Sequence, residues 1–77
     1  MTTIEENIND YFNRGLQYYN NNDFTPAIEI FSNILDNHPN NPNLHYYLSN
    51  SYYQLRDYKL ALQHIETTIN FPHQDIP

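Results

Sequence analysis

Apolar side chains recur three or four residues apart along most of this chain, and that spacing predicts amphipathic helices. The first predicted helix begins near Thr3, because Thr3 and Glu6 have the spacing of a capping box. It ends at the polar run from Asn20 to Asp23, since short amide and carboxylate side chains favour turns. Its helically spaced positions are Ile4, Ile8, Tyr11, Phe12, Gly15, Tyr18 and Tyr19.

The second predicted helix begins at Thr25 and Pro26, where a hydroxyl cap precedes a residue whose backbone angle is already helical. It ends near Asn37, because Pro39 and Pro42 interrupt the backbone and bias the residues before them away from helix. One apolar stripe follows its whole length. The stripe consists of Ala27, Ile28, Phe31, Ile34 and Leu35.

The third predicted helix opens at Pro42, and the fourth runs from about Lys59 to Asn70. A tight turn formed by Arg56, Asp57 and Tyr58 separates them. No alternating strand pattern competes with the helical spacing. The sequence therefore predicts an all-α protein in which four helices form two stacked antiparallel helical hairpins.

The second half of the chain repeats the first half at a spacing of 34 residues, so that Asp23 recurs as Asp57 and Ala27 as Ala61. A period of this length indicates stacked supersecondary units. Such arrays act as binding surfaces more often than as catalysts, so we expect a binding protein and no enzyme. The repeated tyrosines are Tyr18, Tyr19, Tyr52 and Tyr53.

These residues resemble the tetratricopeptide repeat, a helix-turn-helix unit with the pattern Trp-x2-Leu-Gly-x2-Tyr, Ala-x3-Phe and Pro. The departures from this pattern are the missing tryptophans, Arg14 in place of leucine and Ser49 in place of glycine. The resemblance implies a single domain over residues 1–77, with repeats at about 8–41 and 42–75, a short helical extension before them and a tail after them. The residues at the pattern's positions are Tyr11, Gly15, Tyr18, Ala27, Phe31 and Pro39, then His45, Leu48, Tyr52, Ala61 and Ile65, with Pro72 one residue early.

The resemblance also implies a groove, lined by the first helix of each hairpin, that binds a peptide or helix of a protein partner. The lining positions carry aromatic rings and amides without charge, although some of the tyrosines could instead pack between helices. A clamp for a C-terminal carboxylate is not expected, because Phe12, Leu16 and Tyr47 occupy three of its places. The predicted groove residues are Asn9, Phe12, Asn13, Leu16, Tyr19 and Asn20, with Asn43, Tyr46, Tyr47, Asn50, Tyr53 and Gln54.

The last predicted helix carries an apolar stripe with no further repeat to cover it. Exposing such a stripe would cost a small domain several kcal/mol. We therefore expect self-association into a homo-oligomer, a dimer being favoured. The alternatives are a structural component whose end-to-end assembly is its function, and an N-terminal fragment of a longer array. The predicted contact residues are Leu60, Leu62, Ile65, Ile69 and Phe71.

The composition of the chain favours a protein partner over nucleic acid or a membrane surface. The formal net charge is −6, with three cationic side chains against nine carboxylates, which disfavours nucleic acid and anionic membranes. The chain has no cysteine, no secretory signal and no segment apolar enough to span a bilayer, so a cytoplasmic location is expected. No cofactor is expected. No metal is expected either, because the four histidines lack ligand spacing: His38, His45, His64 and His73.

Overall fold

The computed structural model describes residues 7–39 and 41–70, leaving aside the side chains of Pro42, Ile69 and Asn70. Within these ranges the chain has no strand, which confirms the predicted all-α class, and the order of helices is as expected. The predicted start at Thr3 and the contact residue Phe71 lie outside the described residues. The helices are α1 (Ile8–Asn20), α2 (Phe24–Asn37), α3 (Pro42–Gln54) and α4 (Tyr58–Asn70).

The structure defines the start of α1 among the described residues, and the start of α2 differs from its sequence prediction. The described part of α1 begins at Ile8 with Asn7 as its cap, since the Asn7 side chain accepts a hydrogen bond from the Asp10 backbone N–H at 3.0 Å. The predicted cap Thr25 is wrong, because α2 already begins at Phe24 and Thr25 lies inside its first turn. Pro26 is then the third residue of α2. Proline is tolerated at this position as well as at the first, because the N–H groups of the first turn have no intrahelical partner.

Both hairpin turns use the same backbone motif. The Asp23 N–H donates to the Tyr18 carbonyl at 2.8 Å, and 34 residues later the Asp57 N–H donates to Tyr52 at the same distance. The residue before each aspartate adopts a left-handed conformation, with φ of 65° at Asn22 and 69° at Arg56. These features define the Schellman motif, which satisfies the last carbonyls of a helix and reverses the chain tightly.

Consecutive helices pack against one another, and the core lies where α3 meets the first hairpin. Its buried side chains come from α2 and α3: Ala27, Ile30, Phe31, Ile34, Leu44 and Leu48.

The two hairpins have different residues at the point where their helices cross, Gly15 in the first hairpin and Ser49 in the second. A Cβ atom on Gly15 would lie only 2.7 Å from Cε1 of Phe31, so α1 crosses α2 at a distance that only glycine allows without a shift. At the equivalent position in α3, the buried Ser49 hydroxyl donates to the Ala61 carbonyl at 2.9 Å. The serine therefore joins α3 to α4 by a hydrogen bond, whereas in the first hairpin the backbone of α1 at Gly15 lies close to the side chains of Phe31 and Ile30.

Candidate functional site

Three of the predicted groove residues pack between the hairpins. The Tyr47 ring of α3 stacks on Phe31 with centroids 5.4 Å apart, and its edge approaches the Tyr19 ring at 5.0 Å. The Phe12 ring lies 5.9 Å from Tyr47 and 5.7 Å from Phe31. Phe12, Tyr19 and Tyr47 are half-buried. Their main contacts are with the core, which is the packing alternative raised by the sequence.

A hydrogen bond between two other predicted groove residues ties the hairpins together. The Asn50 side-chain amide donates to the Tyr19 hydroxyl at 2.6 Å, which links α3 to α1. Burial raises the pKa of the Tyr19 hydroxyl, and the hydrogen bond from Asn50 offsets only part of this effect. Tyr19 therefore stays neutral at any physiological pH and acts as a fixed acceptor for Asn50.

An open cavity lies between α3 and α4, and we name it the α3–α4 groove. Its volume is about 450 Å³. Tyr46, Tyr53, Tyr58 and Leu62 leave 52–57 % of their surfaces exposed around it. It is lined by Tyr46, Ser49, Asn50 and Tyr53 of α3 and by Tyr58, Ala61, Leu62 and Ile65 of α4.

The α3–α4 groove unites two sets of residues that the sequence assigned separately. Tyr46, Asn50 and Tyr53 belong to the predicted peptide groove, and Leu62 and Ile65 belong to the predicted self-association stripe. Helix α4 places the second set beside the first because its residues 58, 61, 62 and 65 follow one helical face that abuts α3.

The remaining predicted site residues lie elsewhere. Leu60 is half-buried outside the groove lining, while the side chain of Ile69 and all of Phe71 lie outside the described residues. Sequence reasoning missed Ser49, Tyr58 and Ala61 as lining residues. The 34-residue repeat could have identified all three residues. Their counterparts in the first hairpin are Gly15, Phe24 and Ala27, which lie along the crossing of α1 and α2.

A second depression of about 280 Å³ lies where α1 begins, α2 ends and α3 begins. Asn9, Phe12 and Asn43 of the predicted groove contribute to its wall, together with exposed His38. Some of the predicted groove residues thus line the α3–α4 groove and others line this depression, and half-buried Leu16 belongs to neither lining. Asn13, Asn20 and Gln54 are exposed.

A pair of histidines joins α3 to α4 beside the groove. The Nδ1 atoms of His45 and His64 lie 3.0 Å apart, and Nε2 of His45 lies 3.1 Å from the Pro39 carbonyl. If Nε2 of His45 donates to the carbonyl, its Nδ1 accepts and Nδ1 of His64 donates. Burial lowers the pKa of His64, and the neighbouring His45 lowers it further. The His64 ring also stacks on the Tyr52 ring, with centroids 5.7 Å apart.

The described residues contain no group of three or more histidine or acidic side chains that could hold a metal ion. None of the helices in the described part of the chain is long and apolar enough to cross a membrane. The groove lining itself carries no formal charge. It presents hydrocarbon and aromatic faces beside hydroxyl and amide groups.

Comparison with known proteins identified one family. The family model described as anaphase-promoting complex, cyclosome, subunit 3 matches residues 1–68 of the 77-residue chain. This is a family of tetratricopeptide-type repeats. No curated protein and no solved structure gave a significant match.

Proposed function

The chain belongs to the family of anaphase-promoting complex, cyclosome, subunit 3, which is built from tetratricopeptide-type repeats, and we propose that its α3–α4 groove binds a segment of a protein partner. Repeats of this type are protein-interaction modules. The proposal assigns no catalytic step to the chain.

The observation that carries this proposal is the apolar character of the open groove. Leu62 is 55 % exposed there, and three tyrosine rings surround it with similar exposure. Soluble monomers rarely leave such side chains clustered at the surface unless the patch binds something. Tyrosine rings offer rigid contact area with a hydroxyl at the tip, which is the composition typical of protein interfaces.

The uncharged lining favours an apolar or neutral contact face on the partner. A charged side chain placed in the groove would lose water without meeting an opposite charge among Tyr46, Asn50, Leu62 and Ile65. The net charge of −6 favours partners that are neutral or basic around this contact.

Site-directed cross-linking in the source cells tests the proposal. Tyr53, 57 % exposed in the groove, is replaced by the photoreactive residue benzoylphenylalanine, and the same residue replaces exposed Gln17 on α1 as a control. We expect a defined protein to be cross-linked at position 53 and not at position 17.

A pair of variants on α4 shows whether the captured protein occupies the groove. Leu62→Glu places a charge in the groove lining, whereas Gln63→Glu places the same charge on the next, exposed residue. Leu62→Glu should abolish the cross-link at position 53, and Gln63→Glu should leave it intact. An unchanged cross-link in Leu62→Glu, with helicity preserved in both variants, would refute the groove as the binding site.

Self-association is the second candidate function, because the groove contains Leu62 and Ile65 of the predicted contact stripe. A dimer of this kind would bury the same patch of both copies around a two-fold axis. Sedimentation of the chain at micromolar concentration distinguishes the two functions. A dimer that Leu62→Glu converts to monomer supports self-association, and a monomeric wild-type chain excludes it.

A further inference from the structure

The groove of the second hairpin has a counterpart in the first hairpin that is already filled. Counting back 34 positions converts Tyr46, Tyr53 and Ile65 into Phe12, Tyr19 and Phe31. These three rings all contact Tyr47 of α3, at centroid distances of 5.9, 5.0 and 5.4 Å. The α3–α4 groove therefore continues, one repeat further along, the interface at which α3 packs on α1 and α2.

The face that α3 presents to this interface is short and uncharged. Leu44, Leu48 and Ser51 have no exposed surface, and Tyr47 lies beside them on the same side of the helix. The four positions follow the spacing i, i+3, i+4 and i+7, which is one stripe of an α-helix. A groove between two helices of one hairpin thus accepts two aliphatic side chains, one aromatic ring and one small side chain.

A second copy of this chain does not offer such a face at its other end. The residues of α1 that are equivalent to the four α3 positions are Asp10, Asn13, Arg14 and Gln17, and all four are exposed. Placing a carboxylate and a guanidinium in this groove would remove both from water, and the uncharged lining offers no opposite charge to offset that cost. Head-to-tail stacking of copies is therefore disfavoured, because these positions of α1 form a polar face.

We infer that the α3–α4 groove binds an amphipathic helix of a partner protein whose contact stripe has the pattern of α3, aliphatic at i and i+4, aromatic at i+3 and small at i+7. The helix lies on α3 and α4 as α3 lies on α1 and α2. This inference rests on the proposed function and specifies its partner: a helical segment, uncharged on its contact face.

The probe is a synthetic peptide with the sequence of residues 41–55, which contains α3 with its cap, titrated into the full 77-residue chain. Two control peptides match it. One carries Leu48→Asp, and the other has the sequence of residues 7–21, which contains α1 in the same register. We expect saturable binding of the α3 peptide, and roughly tenfold or more weaker binding of both controls, because each lacks an aliphatic contact.

Variants of the chain locate the bound peptide. Leu62→Glu should weaken binding of the α3 peptide by roughly tenfold or more, whereas Gln63→Glu should leave it unchanged. Binding that persists in Leu62→Glu would mean that the peptide displaces α3 from the first hairpin, which overturns the inference. Equal binding of the α1 peptide would also overturn it, because the stripe would then not matter.

Failure of the inference is distinguishable from failure of the proposed function. If the α3 peptide does not bind but position 53 still cross-links a protein in a manner sensitive to Leu62→Glu, the groove binds something other than an α3-like helix. If neither occurs, the groove is not a binding site and both ideas fail. A Leu62-dependent dimer in sedimentation would assign the groove to a second copy and overturn the partner assignment.

Discussion

The two hairpins of this protein have nearly the same backbone plan and opposite surroundings. In the first hairpin Phe31 is fully buried under α3, whereas in the second hairpin the equivalent Ile65 borders an open groove. Phe12 is half-buried, and its equivalent Tyr46 is 52 % exposed. The same kind of helix crossing is therefore part of the core where another helix packs against it, and an open groove where none of the described helices does.

The chemistry of the two hairpins follows the same division. Phe12 and Phe24 of the first hairpin become Tyr46 and Tyr58 of the second, and Leu16 becomes Asn50. Each change adds a hydroxyl or an amide that can bond water while the groove is open. The second hairpin is thus suited to a surface that is wet at one time and covered at another.

The substitution that we expect to destabilise the protein most lies in the first hairpin, where α3 covers the helix crossing. Phe31→Ala should lower the free energy of unfolding by about 3–5 kcal/mol, since it removes a fully buried ring that contacts α1 and α3. Ile65→Ala should lower it by only about 1 kcal/mol, because Ile65 is partly exposed at an open groove. Urea denaturation followed by circular dichroism measures both. Equal losses would mean that the second groove is closed in solution.

A smaller effect compares the two helix crossings. Gly15→Ala should destabilise the fold by about 1–2 kcal/mol, because overpacking against Phe31 outweighs the helix propensity that alanine gains. Ser49→Ala, at the equivalent position, should cost about 1 kcal/mol through loss of the hydrogen bond to the Ala61 carbonyl. Thermal unfolding of the two variants checks this order, and a stabilised Gly15→Ala protein would contradict the close crossing.

The smallest expected effect is a pH dependence confined to the second hairpin. The lowered pKa of His64 means that the unfolded chain binds its proton more readily than the folded chain does. The contribution of neutral His64 to stability is therefore complete at pH values above 6.5, the ordinary pKa of histidine. It is lost as the pH falls from there through the lowered pKa of His64 in the folded protein. Amide hydrogen exchange, corrected for its intrinsic pH dependence, should show weaker protection of α3 and α4 at pH values below this range.

Matched variants isolate the contribution of the histidine pair. His64→Gln should flatten the pH dependence between about 7.5 and 5.5, whereas His38→Gln, which removes an exposed histidine at the end of α2, should not. The first hairpin has Tyr11 and Ile30 in place of His45 and His64, so α1 should lose no protection by this route. An equal pH response in His64→Gln would assign the effect to carboxylates instead.

Prediction from the sequence succeeded where local rules act. The ends of α1 and α2 lie at the polar run and before the prolines that predicted them, and α4 begins one residue before its predicted start at Lys59. The start of α2 was misplaced because Thr25 and Pro26 are as compatible with the interior of a first turn as with a cap. Capping preferences are too weak to separate positions two residues apart.

The amino-acid sequence by itself determined the 34-residue repeat, the four helices, the small residues at the crossings and the tetratricopeptide family. Helical periodicity fixes these features because it specifies the side of each helix that must be covered. It does not specify which neighbour covers that side. Only the tertiary structure placed Tyr47 among Phe12, Tyr19 and Phe31, paired His45 with His64 and brought Tyr53 beside Leu62, because the offset and tilt between helices depend on how all their side chains pack together.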